Sequence, residues 1–359
     1  MATLPSIEIS GRRIALDESP FVIAELSANH NGKLETALKI IEEAKKAGAD
    51  AVKLQTYTAD TITLKSDSEE FQIRGGLWDG QTLYELYEQA HMPWDWHAAL
   101  FDHARKLDIT IFSSPFDNTA VDLLESLNAP AYKIASFEVI DLPLIKYVAR
   151  TGKPMIISTG MADAQEIEEA VDAARSGGCK ELAILHCVSG YPAPPADYNL
   201  RTLPDMIERF GLVTGLSDHT LDNTTAITSV GLGASIIEKH FTLDRGGGGP
   251  DDSFSLEPYE LADLCRACYT AWSALGRAGY GRKSSEEANV KFRRSLYFVK
   301  DLKLGDVITS DAVRSVRPGF GLAPKYLEAI IGKRVKRAVY ANTAVTLNSL
   351  EIENLQFER

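Results

Sequence analysis

The chain has 359 residues, of which 45% are hydrophobic and 25% charged, and its formal net charge is −12 at pH 7. This length fits one large domain with a smaller one, and the composition is that of an ordinary globular protein. The negative charge argues against non-specific nucleic-acid binding, and the absence of a long apolar stretch argues against a membrane span.

The cysteines predict a reducing compartment. Cys179, Cys187, Cys265 and Cys268 are too few and too unevenly placed for a disulfide framework. The amino terminus lacks an apolar segment after a basic start, so we expect no signal peptide and a cytoplasmic protein. Cys265 and Cys268 lie two residues apart within a helical pattern, which favours helix packing over a zinc site.

The first 20 residues contain a short hairpin with its turn at Gly11, placed where it can plug the bottom of a barrel. Eight strand-like runs then follow, and most are continuously apolar, as expected for strands buried on both faces. They are residues 21–27, 51–56, 110–114, 131–136, 154–159, 182–187, 212–218 and 235–242.

Helical patterns separate these runs. Leu34, Leu38 and Ile41 follow helical spacing, and Gly48 is placed to end that helix. Asp163 and Glu166 form a capping-box pattern at the start of another helix. Eight strand–helix units over roughly 260 residues predict an α/β fold, the (β/α)8 TIM barrel. A doubly wound open sheet is the alternative, but its glycine-rich first turn is missing after the first run.

Two segments depart from the repeat. The connection 58–93 is unusually long, which favours a functional loop, and a helix is predicted over residues 83–90. After Gly281 the pattern changes to short β-type runs with glycine turns. We therefore predict a barrel domain over 1–281, a linker over 282–289 and a small, mostly β domain over 290–359.

Polar side chains follow all eight apolar runs. Because strand carboxyl ends converge at one face of a barrel, we expect these side chains to lie together. They are Glu25, Asn29, His30, Lys53, Gln55, Ser113, Ser114, Lys133, Ser136, Glu138, Ser158, Thr159, His186, Ser189, Tyr191, Ser217, His219, Lys239, His240 and Asp251. Any one of them alone is as well explained by a hydrogen-bonded core residue or a salt bridge.

The residue types indicate the chemistry. The lysines and serines suit a phosphorylated, anionic substrate. His219 and His240 suit a divalent metal that keeps open positions for water or substrate, and Glu25 and Glu138 suit proton transfer or hydroxyl binding. His30 fits either a ligand contact or loop structure, whereas His91, His97 and His103 are predicted near or on a surface helix without a role. The glycines at 246–249 fit a flexible lid better than a phosphate cradle.

These residues occur in motifs that resemble the sialic acid synthase family, the phosphoenolpyruvate-dependent nonulosonate synthases. The motifs are Glu25 with 28–32 (ANHNG), 53–55 (KLQ), 133–136 (KIAS), 158–161 (STGM), 185–187 (LHC), 215–220 (GLSDHT) and 238–242 (EKHFT). Residues 317–321 (RPGFG) resemble its antifreeze-like (SAF) domain. The resemblance runs from about residue 6 to 356, with the motifs in family order.

The resemblance implies an enzyme that condenses phosphoenolpyruvate with an N-acetylated amino sugar to give a nine-carbon 2-keto acid and phosphate. It implies a divalent metal, Mn²⁺ or Mg²⁺ with Co²⁺ possible, held by His219 and His240. The implied catalytic residues are Glu25, Lys53, Lys133 and Glu138. The implied substrate-binding residues are Gln55, Ser136, Ser158, Ser189, Tyr191, Ser217, Asp251 and Arg317. Arg317 would act in trans in a domain-swapped homodimer.

Within the family, the long loop at 75–97 resembles the branch that uses 2,4-diacetamido-2,4,6-trideoxy-L-altrose to form pseudaminic acid. Asp252 stands where the sialic acid branch has a histidine, and Ser189 also departs from the common pattern. The alternatives are an N-acetylneuraminate or legionaminate synthase, a metal-dependent aldolase and a non-enzymatic sugar-binding protein.

Overall fold

The computed structural model describes residues 4–351, which divide into two compact units, the first ending at Gly276 and the second beginning at Arg277. The first unit contains a closed barrel of eight parallel strands, as predicted. A two-stranded hairpin precedes it, formed by β1 (Ser6–Ile9) and β2 (Arg12–Ala15). The barrel strands are β3 (Phe21–Glu25), β4 (Ala51–Thr56), β5 (Thr110–Pro115), β6 (Tyr132–Ile134), β7 (Met155–Ser158), β8 (Leu182–Cys187), β9 (Val213–Asp218) and β10 (Ile236–His240).

Each barrel strand pairs with its neighbour in the chain, and β10 closes the barrel by pairing in parallel with β3. Each of the eight predicted runs coincides with one of these strands; β5 extends one residue beyond its run, and the other ends differ by two residues at most. The continuous apolar runs arise because side chains face either the barrel interior or the helices, so both faces are buried.

The hairpin closes the amino-terminal end of the barrel. Its turn residues Ser10 and Gly11 both have positive φ, 51° and 79°, which a two-residue turn with the hairpin's own twist requires. Ile7, Ile9 and Ile14 then pack in one buried cluster with inward-facing residues from the first half of the barrel strands.

Helices cover the outside of the barrel, apart from the second and third in the chain, whose residues line the cavity described below. The helices are α1 (Leu34–Ala47), α2 (Ala59–Ile62), α3 (Leu83–Ala90), α4 (His97–Leu107), α5 (Asn118–Ser126), α6 (Leu142–Ala149), α7 (Ala164–Gly177), α8 (Thr202–Phe210), α9 (Thr224–Gly231) and α10 (Pro258–Leu275). The predicted signals are present: Gly48 ends α1 in the left-handed conformation, and Asp163 and Glu166 form a capping box on α7. The predicted helix at 83–90 is α3, within the long connection from β4 to α4.

The second unit contains β11 (Ser295–Phe298) and β12 (Val313–Val316), which pair antiparallel, and a short helix, α11 (Leu327–Ile330). Its own core includes Leu296, Phe298, Ile308, Val335 and Val345. The predicted second domain extends to 359, and its last eight residues lie outside the described part of the chain. Among the residues described, helices that combine the length and the apolar character of a membrane span are absent.

Candidate active site

A cavity of about 570 Å³ opens at the carboxyl ends of the barrel strands. Thirteen of the fourteen residues assigned a role from the sequence line it: Glu25, Lys53, Gln55, Lys133, Ser136, Glu138, Ser158, Ser189, Tyr191, Ser217, His219, His240 and Asp251. Their convergence follows from the fold, because every barrel strand ends at this face. The fourteenth, Arg317, is exposed in the second unit just after β12.

Two lysines and two carboxylates form a buried network at the floor of the cavity. Lys53 Nζ lies 3.1 Å from Glu25 Oε2 and 3.4 Å from Glu238 Oε1, while Lys133 Nζ lies 3.6 Å from the same Glu238 oxygen. Ser217 Oγ donates to that oxygen at 3.1 Å. Since all four ionisable groups are almost fully buried, each can be charged only where its neighbours offset the cost of burial.

Burial and neighbouring charges shift the pKa values of these four groups in different directions. Burial raises the pKa of Glu25 to about 7, and the nearby Lys53 offsets this only in part. Burial opposes ionisation of Glu238 as well, but Lys133 and Lys53 together lower its pKa. Burial lowers the pKa of Lys133, whereas Glu238 and Glu25 outweigh burial at Lys53 and raise its pKa. Lys53 therefore stays positively charged between two carboxylates. The positive charge of Lys133 is less completely balanced by neighbouring carboxylates.

Glu138 follows β6 in a short 3₁₀ helix (Ser136–Glu138) and reaches the cavity from the side. Burial raises the pKa of its carboxyl to about 7. Its Oε2 atom is buried without a hydrogen-bond partner among the described residues. A carboxyl that titrates near neutral pH and faces an open cavity has the properties of a general acid or base.

His219 and His240 end neighbouring strands, and their ring centroids are 5.5 Å apart. His219 Nδ1 lies 2.8 Å from the carbonyl oxygen of Val188, so it carries the proton and leaves the lone pair on Nε2. Burial lowers the pKa of His219 to about 4 and that of His240 well below its usual range, so both rings are neutral.

This pair fits a divalent cation with few protein ligands. The Nδ1 atom of His240 is buried without a hydrogen-bond partner in the described part of the chain, and Asp251 Oδ2 lies 3.9 Å from it. Groups of three or more histidine, cysteine, aspartate or glutamate side chains spaced around one metal position are absent from residues 4–351. Two neutral imidazoles would therefore leave most coordination positions open for water or substrate.

The side chain of Asp251, in the loop after β10, is held by residues that belong to or directly follow β3 and β4. Ser27 Oγ donates to Asp251 Oδ2 at 2.5 Å, and Gln55 Nε2 donates both to Ser27 Oγ at 3.0 Å and to Glu25 Oε1 at 2.8 Å. The chain of contacts connects the loop after β10 to β3 and β4, which holds Asp251 and Glu25 at the same side of the cavity.

Serine hydroxyls line the rest of the polar surface. Ser136 Oγ and Ser189 Oγ share a hydrogen bond of 2.9 Å. Ser158 Oγ is buried and has no partner among residues 4–351. Buried hydroxyls without partners are rare, so this group is placed to meet a ligand or an ordered water.

Other polar strand-end residues have structural roles. Lys239 faces away from the cavity, and its Nζ lies 2.9 Å from Asp218 Oδ2 and 2.7 Å from the carbonyl oxygen of Thr220. Ser113 bonds to Thr56 on the outer face of the barrel. His30 packs edge-on against Trp96 at 5.5 Å, which supports the loop-structure alternative for that residue. His97 is the first residue of α4 and lies outside the cavity, as predicted, and its side chain is buried with Nε2 2.9 Å from Thr56 Oγ1.

The loop after β10 is folded around Asp252, which is buried and does not line the cavity. Its carboxylate accepts from Thr242 Oγ1 at 2.5 Å, from the Gly249 backbone N–H at 2.8 Å and from Asn31 Nδ2 at 3.0 Å. A Cβ atom at Gly249 would lie 1.9 Å from Asn31 Oδ1 and 2.9 Å from Asp252 Oδ2, so a larger residue there would displace the hydrogen-bonded Asn31 and Asp252 side chains. The loop is therefore a packed support for its neighbour Asp251.

Two parts of the site were not predicted from the sequence. Glu238 joins the two lysines, and the two-residue repeat of a strand could have found it, because Glu238 and His240 share a face of β10 while Lys239 lies on the other. The second part is the apolar side of the cavity, contributed by the connection from β4 to α4: the helix at 83–90 was predicted, but nothing in the sequence showed that Leu83, Leu86 and Tyr87 on it face the cavity.

The fold and the site define an enzyme-like TIM barrel with a cavity of ionisable and hydroxyl groups at its strand ends, followed by a small SAF-type domain. The NeuB family model matches residues 40–280, and the SAF domain model matches residues 293–351. The chain belongs to the NeuB family.

Individual relatives agree with this assignment. The chain is 43% identical to a pseudaminic acid synthase of Helicobacter pylori, over 93% of this chain and 98% of that protein. It is 36% identical to an N,N'-diacetyllegionaminic acid synthase of Legionella pneumophila, over 92% and 94% of the two chains. The crystal structure of an N-acetylneuraminic acid synthetase from Leptospira borgpetersenii, in complex with citrate, is similar with a TM-score of 0.72 and 30% identity, covering 81% of this chain and 96% of that one.

Proposed function

We propose that this chain is a transferase that condenses phosphoenolpyruvate with 2,4-diacetamido-2,4,6-trideoxy-L-altrose to form pseudaminic acid and phosphate. The observation that carries the proposal is the cavity that combines buried lysines, partnerless serine and carboxyl groups, and two neutral histidines. The 43% identity to a pseudaminic acid synthase over 93% of the chain supports the choice of sugar.

The lysines and serines bind the phosphoenolpyruvate anion. Lys133 lies 3.6 Å from Glu238, beyond hydrogen-bond distance, so its N–H donors are available to a phosphate or carboxylate. Ser158 Oγ, which has no partner among residues 4–351, supplies a directional donor, and the Ser136–Ser189 pair, which shares one hydrogen bond, supplies a second. Ser217 lines the same floor and can donate to the anion when its hydrogen turns away from Glu238. Lys53, held between Glu25 and Glu238, supplies fixed positive charge.

The sugar binds on the side of Asp251, Glu25, Gln55 and Tyr191. Asp251 and Glu25 accept hydrogen bonds from its hydroxyls or amides, since both carboxylates are oriented by Ser27 and Gln55. His219 and His240 would hold a divalent metal, which would supply Lewis-acid polarisation of the sugar aldehyde. Arg317 of a second subunit completes this part of the site in a domain-swapped homodimer.

The reaction balances with one water. Carbon 3 of phosphoenolpyruvate attacks the aldehyde carbon, the aldehyde oxygen gains a proton, and water adds to carbon 2. The resulting tetrahedral centre collapses to the 2-keto group as its bond to the phosphate oxygen breaks, which releases inorganic phosphate. Glu138 accepts the proton of the attacking water, because its carboxyl titrates near neutral pH and faces the cavity.

The four cysteines are free, which supports a reducing location such as the cytoplasm, where phosphoenolpyruvate is available.

The test is phosphate release from phosphoenolpyruvate with Mn²⁺, offering the L-altrose sugar and N-acetylmannosamine in parallel. Release with the altrose sugar alone would support the proposal. Release with N-acetylmannosamine alone would keep the chemistry but move the chain to an N-acetylneuraminate synthase. Consumption of neither sugar, with cleavage of a keto sugar instead, would support a metal-dependent aldolase.

A further inference from the structure

The cavity has two chemically different sides. Its floor is built from strand-end groups that are charged or hydrogen-bonding, whereas one side is built almost entirely from carbon. We call that side the apolar wall; it consists of Ile62, Ile73, Trp78, Leu83, Leu86 and Tyr87. All six residues come from the long connection between β4 and α4, and none of them carries a charge at neutral pH.

The apolar wall is a built surface rather than a loose loop. Thr82 and Glu85 form a capping box that starts α3, with Glu85 N donating to Thr82 Oγ1 at 3.1 Å. The ring of Tyr87 packs edge-on against Tyr57 at 5.6 Å, and Tyr57 packs on Phe116 at 5.1 Å. These contacts hold the inner face of α3 against the barrel.

The far end of the wall is fastened to the loop that carries Asp251. Trp78 Nε1 donates to the carbonyl oxygen of Pro250 at 3.2 Å, and its ring lies 6.2 Å from that of Tyr191. Because the indole N–H is already used, Trp78 offers the cavity only its apolar ring. The wall therefore faces the side of the cavity next to Asp251.

The apolar wall suits one of the two substrates better than the other. Phosphoenolpyruvate is a small, highly charged anion and gains nothing from a carbon surface, so the floor suits it and the wall does not. The second substrate in the proposed reaction carries two acetamido methyl groups and a methyl at carbon 6. A hydroxyl placed against the carbon side chains of Ile62, Ile73 and Leu86 would lose its water without finding a hydrogen-bond partner among them.

We infer that the apolar wall is the specificity surface for a 6-deoxy, diacetamido sugar, and that it receives the sugar's methyl groups while disfavouring a hydroxyl at carbon 6. This inference rests on the proposed condensation. It assigns to Ile62 and Ile73, the two β-branched members of the wall, a positioning role in sugar selection.

The experiment compares two sugars that differ by one oxygen atom, 2,4-diacetamido-2,4,6-trideoxy-L-altrose and its 6-hydroxy counterpart. Phosphate release with Mn²⁺ gives kcat/KM for each. The unmodified protein should favour the 6-deoxy sugar by about 10–200-fold, the range that a single small group in an apolar site provides. In the double variant Ile62→Thr/Ile73→Thr this ratio should fall about fivefold or more, since each threonine offers a hydroxyl partner.

Two controls separate polarity from packing. The double variant Ile62→Val/Ile73→Val removes similar volume without adding a hydroxyl and should keep the ratio within about twofold of the unmodified protein. Leu64→Thr lies in the same connection but is 67% exposed and outside the cavity, so it should change nothing. The KM for phosphoenolpyruvate should stay within about twofold in every variant, because that ligand lies on the floor.

The possible failures are distinguishable. If the unmodified protein turns over both sugars with equal kcat/KM, or if the threonine variant keeps the full ratio, the wall assignment is wrong while the proposed condensation stands. If the unmodified protein releases no phosphate with either sugar, the proposed function itself falls and the wall assignment with it.

Discussion

The rings of His219 and His240 lie with their centroids 5.5 Å apart, at the ends of two neighbouring strands. Both rings are neutral because burial lowers their pKa values, and the proton of His219 is committed to the carbonyl oxygen of Val188. The remaining nitrogen lone pairs are therefore available to a metal ion at neutral pH.

We expect His240→Gln to lower phosphate release by at least ~100-fold, since losing a ligand costs more than the ~10–100-fold typical of an outer-shell partner. Binding of Mn²⁺ followed by electron paramagnetic resonance should weaken in parallel. His91→Gln, a histidine outside the cavity, is the control and should leave both unchanged. Full activity after exhaustive chelation would contradict the metal assignment.

Glu138 should set the acidic limb of the pH profile. Burial raises the pKa of its carboxyl to about 7, and a base must be ionised to accept a proton. The ionised fraction is nearly complete well above pH 7 and falls about tenfold for each pH unit below it, so kcat should fall in the same way as pH decreases. Glu138→Gln should lower kcat by about 10²–10⁴-fold and remove this limb.

The control for that limb is Glu25→Gln, because Glu25 also has its pKa raised to about 7 by burial. If Glu138 is the base, the Glu25 variant loses activity but keeps an acidic limb. An acidic limb that survives in Glu138→Gln and disappears in Glu25→Gln would transfer the role to Glu25.

Lys239 should matter for stability rather than for chemistry. Its ammonium group pairs with Asp218 at 2.9 Å, and the two side chains are 1% and 0% exposed. Lys239→Met leaves a buried carboxylate without its cation and should lower the free energy of unfolding by about 3–5 kcal/mol. Chemical denaturation measures this, and the double variant Lys239→Met/Asp218→Asn should regain part of the loss. An equal loss in the double variant would mean that the charge pair is not the cause.

Arg317 gives a test of the predicted homodimer. Arg317→Ala should raise KM for the sugar and leave KM for phosphoenolpyruvate unchanged, because the guanidinium is expected to contact the sugar's acetamido group. If the residue acts in trans, mixing this variant with Glu138→Gln and allowing subunits to exchange should restore about a quarter of the unmodified activity, since half of the dimers would contain one complete site. Mixtures no more active than the sum of the two variants would exclude the arrangement in trans.

The sequence alone determined the barrel and most of its floor. Eight apolar runs of strand length, separated by helical patterns, favour a (β/α)8 barrel, and in that fold the carboxyl ends of all the strands lie at the same face. Residues such as Lys53, Lys133 and His240 could therefore be brought together without coordinates, because the fold converts sequence position into spatial position.

Only the tertiary structure decided which ionisable groups form ion pairs with one another and which side of the cavity is apolar. Glu238 and Lys239 are adjacent and both ionisable, yet one links the lysines of the floor and the other is buried behind the strand. The position of the apolar wall depends on how α3 and the irregular segments beside it pack against the barrel. The burial of Asp252 depends on the loop that folds around it. Local sequence patterns encode strands and helices through their periodicity, but contacts between an irregular loop and distant strands depend on shape and burial, which no local pattern records.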